Sequence, residues 1–95
     1  MARILPLNIP TSTGSSGDAV DVLALREKSI QCAGTFSAVY TIQGTVDGDN
    51  WVSAGEFSSA SGILDIAETF ALIRVKRTSY VSGSVTMTLA GHEER

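Results

Sequence analysis

The chain has 95 residues, of which 43% are hydrophobic and only 18% charged, with a formal net charge of −3. That length sets one domain, the acidic balance leaves no basic footprint for nucleic acid, and the single cysteine, Cys32, excludes an internal disulfide. No run approaches the ~18 apolar residues of a membrane span, and the opening MARILPLNIP lacks the apolar stretch of a signal peptide, so neither nucleic acid nor membrane is expected as a partner.

Residues 1–13 read as an extended arm or edge strand. Pro6 and Pro10 hold their preceding residues extended, and Ile4, Leu5, Leu7 and Ile9 supply the apolar side chains. Two fates are open to this segment: strand one of its own domain, or an arm added to a neighbouring sheet edge. TSTGSSG, residues 11–17, is a loop of small polar residues. DAVDVLAL then reads as a strand with Val20, Val22 and Ala24 on one face, and REK, residues 26–28, as a charged turn. From residue 29 a period of two runs through Ile30, Cys32, Phe36, Ala38, Tyr40 and Ile42. That is long for one strand, so a bend or turn is expected near Gly34.

GTVDGDNW, residues 44–51, breaks the pattern. Asp-Gly is a strong hairpin signal, and Asp47 can bond its own backbone two residues on. Asn50 suits a left-handed position, and Trp51 opens the returning strand WVSAGEF. A calcium loop would need a third oxygen ligand at residue 51 and a carboxylate at the twelfth position, where Trp51 and Ser58 stand. A sugar platform would use the Trp51 face, but a solitary tryptophan in a small β domain is more often core or interface. The structural reading is preferred: Asp47, Gly48 and Asn50 set the turn, its carboxylates face water, and Trp51 is mostly buried, packed beside the FALIRV strand or at a subunit contact. No cofactor or metal is expected.

After the loop SSASG, the stretch ILDIAET is short and ambiguous between strand and helical turn. FALIRVKRTSY is a strong strand. Ala71, Ile73 and Val75 share one face, Arg74 and Lys76 the other, and Arg77 falls with the first set. Arg74 and Lys76 suit an acidic partner surface or a solvated strand end. Ser82-Gly83 reads as a turn. SVTMTLAG then alternates with Val85, Met87 and Leu89 inward, and residues 92–95 form a charged tail holding His92, the lone histidine. Cys32 sits among apolar neighbours as an inert thiol. Nothing in the chain assembles a catalytic set, so an enzyme is not expected. Seven or eight short strands at regular spacing point to an antiparallel sandwich or barrel.

The order of FSAVYTIQGTVDGDNWVSAGEF and FALIRVKRTSYVSGSVTMTLAG resembles small virion proteins of tailed bacteriophages, over residues 35–91. The likeness lies in a G-x-x-D-G-x-N-W turn, an aromatic-x-x-Φ-R-V strand, a Ser-Gly turn and a closing strand ending L-A-G. The most similar of those proteins are capsid decoration (cement) proteins, with tail or fibre components beside them. The resemblance implies an all-β jelly-roll sandwich over residues 14–91. It further implies a non-catalytic protein on the outer capsid surface, assembled in the host bacterial cytoplasm, with the major capsid protein and its own copies (dimer or trimer) as partners. A carbohydrate-binding or tail-associated module is the alternative.

Overall fold

The computed structural model describes residues 2–93. These form six strands and no helix: β1 Ala2–Pro6, β2 Val20–Asp21, β3 Leu25–Thr45, β4 Val52–Ser58, β5 Gly62–Ile66 and β6 Leu72–Glu93. All belong to one antiparallel sheet of order β1-β6-β3-β4, with β2 on β6 and β5 on β3. The all-β, antiparallel expectation therefore holds, while the count is six strands in one sheet where a jelly roll of seven or eight was expected.

The difference lies in β3 and β6. They pair with each other from Leu25↔Glu93 to Thr45↔Leu72 and form the spine of the molecule. A straight strand of 21 residues would span about 70 Å, yet the longest dimension of the protein is 42 Å. The spine must bend, and it does so where two glycines with positive φ stand close together. Gly34 (φ 133°) lies opposite Val85, and Gly83 (φ 95°) opposite Phe36. A Cβ at Gly34 would strike the Ser84 carbonyl oxygen, and one at Gly83 the Thr35 carbonyl oxygen. The expected bend near Gly34 is present, but the Ser82-Gly83 turn is a bend inside a continuous strand. Register shifts between Ser37 and Ala38 and between Val39 and Tyr40 add curvature.

Each half of the spine has its own flanking strands. One half reads β5-β3-β6-β1, the other β4-β3-β6-β2. At the bend the open sheet folds over, bringing Leu64 of β5 against Gly55 of β4. The enclosed face supplies the core: Ile30, Cys32, Phe36, Ala38, Tyr40 and Ile42 from β3, and Ile73, Val75, Met87 and Leu89 from β6. The two-residue periodicity of the sequence thus marks the concave face. Two layers arise from one sheet because both long strands keep the same face inward through the bend.

Several segments differ from the sequence reading. DAVDVLAL contributes only the short β2, although Val22 is buried. REK is a register shift within β3: Glu27 has φ 52° and Lys28 turns inward to 3% exposure. ILDIAET is strand β5 over its first part. His92 and Glu93 extend β6, and residues 94 and 95 of the expected charged tail lie outside the described residues. The arm is the edge strand β1, paired with β6 of its own chain from Ala2↔His92 to Pro6↔Thr88.

Candidate functional site

The turn between β3 and β4 is built around one carboxylate. Asp47 Oδ1 accepts from the Asp49 and Asn50 amides, each at 2.8 Å, and from the Thr45 hydroxyl at 2.9 Å. Asp47 Oδ2 accepts from Asn50 Nδ2 at 2.8 Å. The Thr45 hydroxyl, which is buried, in turn accepts the Gly48 amide at 3.0 Å. Asn50, by its backbone and then its side chain, the Asp49 amide and the Thr45 hydroxyl hold the Asp47 carboxyl well below the usual carboxylate range. The expected backbone bond two residues on is present. Asp47 and Asp49 are both exposed, and the positive φ expected of Asn50 is taken in this turn by Gly48 alone. With Oδ1 already engaged by three donors, a cation would have to displace the bonds that shape the loop. Among the described residues, no group of three or more His, Cys, Asp or Glu could hold a metal ion.

Trp51 is half-buried and not sealed in the core. Its ring is covered by the guanidinium of Arg74, whose Cζ lies 4.0 Å from the ring centroid. Arg74 Nε donates to Gln43 Oε1 at 2.8 Å. Arg74 and Gln43 are cross-strand partners, so the β3–β6 register places the cation where the returning chain delivers the indole. The expected contact between Trp51 and the FALIRV strand is present, but on the convex face, because the enclosed face there is filled by Phe70. The Phe70 ring lies so close to Gly44 that a Cβ there would meet ring carbons at 2.6 Å. Lys76 shares the outer face with Arg74, opposite Thr41, and is also half-buried.

The N-terminal candidates divide. Leu7 is buried, Leu5 and Ile9 pack against the core from its margin, and Ile4 is 73% exposed. β1 pairs with β6 along one edge only, so Ile4 and the outer edge of β1 stand open. The Cys32 thiol is buried and pushed up by that burial, which makes it a poor nucleophile. His92 is exposed, opposite Arg26.

Arg77 falls outside the residues that the sequence marks as partner-binding. It lies opposite Tyr40 on the enclosed side of the sheet. Its Nη2 donates to the Thr11 carbonyl at 2.7 Å, and its Cζ lies 4.1 Å from the Tyr80 ring centroid. The Tyr80 hydroxyl donates to the Gly83 carbonyl at 2.9 Å. Period-two reading puts Arg77 with Ile73 and Val75, so the inward charge was visible; its contacts with Thr11 and Tyr80 depend on the tertiary fold and were not.

No protein-family model matches the chain, and no curated protein sequence matches it. Among solved structures, the fold is similar to the crystal structure of the SPBc2 prophage-derived protein YomS. The TM-score is 0.66 over 96% of this chain and 92% of that one, at 15% sequence identity. The shared property is the fold.

Proposed function

We propose that the protein is a structural component of a bacteriophage particle, a head decoration protein that binds the outer surface of the major capsid protein shell as a homo-oligomer. The observation that carries this reading is the whole-chain likeness of the fold to a prophage-derived protein, taken with the virion-protein pattern of residues 35–91. The role is non-catalytic, with no nucleic acid or membrane as partner, and assembly takes place in the host bacterial cytoplasm. The open edge of β1, with Ile4 exposed beside it, offers main-chain groups and apolar surface to a neighbouring subunit. Many identical weak contacts on a shell sum to firm attachment.

The test is purification of particles from cells expressing the protein with the cognate head proteins. Stoichiometric copies on the head in a cryo-EM map are the expected result. Copies confined to the tail would move the role to a tail-associated module, and absence from particles would sink it. A carbohydrate-binding role is disfavoured by one observation: the Arg74 guanidinium occupies a face of Trp51 on which a sugar ring would stack. Saturable quenching of Trp51 fluorescence by oligosaccharide would reverse that preference.

A further inference from the structure

Arg77 places a cation on the core-facing side of the sheet, next along from Ile73 and Val75, which are fully buried. Much of it is accounted for by its hold on residues 11–15. Its backbone amide donates to the Ser15 carbonyl at 3.0 Å, its carbonyl accepts the Gly14 amide at 2.7 Å, and Nη2 bonds the Thr11 carbonyl. Nε is not accounted for: it is sealed from water and has no acceptor. A buried N–H on a charged group without a partner is costly and rare.

The Nε–H and one Nη2–H of a guanidinium point the same way, and a carboxylate takes that edge with two parallel hydrogen bonds. Here the Thr11 carbonyl bonds Nη2 and nothing bonds Nε. Arg77 also lines a cavity of about 350 Å³, together with Ile9, Thr11, Tyr40, Tyr80 and Ser84. Tyr80 covers the guanidinium and is 40% exposed; its hydroxyl donates to the Gly83 carbonyl within the same bent segment. One guanidinium among tyrosines and aliphatic side chains balances one negative charge, which suits a planar monoanion better than a phosphate dianion.

We propose that Arg77 is a binding site for a carboxylate, which enters through this cavity as the Tyr80 ring moves aside and takes the Nε–Nη2 edge. The proposal is independent of the virion reading. The carboxylate is either a free small molecule or an acidic side chain of another polypeptide; the chemistry at Arg77 is the same for both.

The Arg77 Nε–H is directly observable by proton–nitrogen NMR of the labelled full chain. The expected result is a saturable downfield shift of that resonance on titration with sodium acetate. Neither acetamide, the neutral analogue of the same shape, nor sodium chloride at matched ionic strength should produce it. Arg77→Lys should abolish the saturable response at the Thr11 and Ser84 amides, and the wild-type titration decides the matter even if that variant does not fold. A capped Gly-Glu-Gly peptide that binds more tightly than acetate assigns the ligand to a polypeptide side chain, and equal binding assigns it to small carboxylates. Tyr80→Phe frees the ring and should lower the acetate concentration at half-saturation; an unchanged value would overturn the cover. Absence of a saturable shift with both acetate and the peptide, or an equal shift with acetamide, would overturn the site and leave Arg77 as a clamp on residues 11–15.

Discussion

The Arg74 guanidinium carbon stands 4.0 Å from the centre of the Trp51 ring, and the same Arg74 is held by Gln43 from the neighbouring strand. The stack ties the end of the central turn to the β3–β6 spine on a half-exposed surface. Such cation–π pairs are worth about 0.5–1 kcal/mol where water has access. Trp51→Ala should therefore cost about 1–2 kcal/mol, well short of the ~3–5 kcal/mol of a sealed aromatic. A double-mutant cycle with Arg74→Ala should return a coupling of about 0.5–1 kcal/mol. Chemical denaturation of the four proteins checks this, and additive losses would show that the two side chains stack without interacting.

Acid should unmask the contribution of Asp47. Its folded carboxyl titrates below the unfolded value of about 3.9. Its contribution is thus fully present above the unfolded value and is lost as pH falls through the folded one. Asp47→Asn sets an amide against Asn50 Nδ2, donor against donor, and should lower the melting temperature at pH 7. The gap between the two proteins should narrow steadily below about pH 4. A gap independent of pH would rule out the charge as its source. EDTA should leave the melting temperature of either protein unchanged, since the turn is closed by its own donors.

Gly44→Ala should destabilise by about 1–3 kcal/mol, the range for forced overpacking, because the new methyl meets the Phe70 ring. Shrinking that ring in Gly44→Ala/Phe70→Leu should recover part of the loss. Equilibrium unfolding of the single and double variants provides the check; a double variant as unstable as the sum of the two singles would mean that Phe70 does not set the limit.

Lys28 gives a pH dependence of the same sign at the alkaline end, but there the charged form costs stability. Burial lowers its ammonium pKa, with Glu68 acting the other way. A folded value below the unfolded ~10.4 means that stability rises as pH climbs from the one to the other. Lys28→Met removes a buried charge and should raise the melting temperature at pH 7, with an advantage that shrinks towards pH 10. Thermal melts at the two pH values decide it: an advantage that grows with pH would show that the lysine stabilises the fold.

Local pattern told which face of each strand is enclosed, and it told little about where strands end. The alternations Ile30 to Ile42 and Val85 to Leu89 name core residues because burial on a pleated strand repeats every second residue. Asp47 was legible as a turn former because its partners lie within three residues. Ser82-Gly83 and Arg26-Glu27-Lys28 misled for one physical reason. Glycine, or a charged residue such as Glu27 at φ 52°, marks a backbone excursion, and an excursion serves a bulge or bend as well as a hairpin. Only the opposing strand decides between them, and that partner is distant in sequence: Ser82 faces Ser37, and Arg26 faces His92. Trp51 was assigned inward for want of the same information, since Phe70 and not the indole reaches Gly44.

The pairing of Ala2 with His92 sets how the molecule would answer to force. A load drawn between these two residues meets the β1–β6 ladder at its end and peels it one rung at a time, so a modest pull suffices to strip β1. A load drawn between Leu25 and Leu72 instead runs lengthwise along the β3–β6 ladder, from opposite ends of the spine. Every rung then strains together, and rupture must break them at once. The same protein is thus a weak link along one line and a strong strap along another, and the direction of tension decides which.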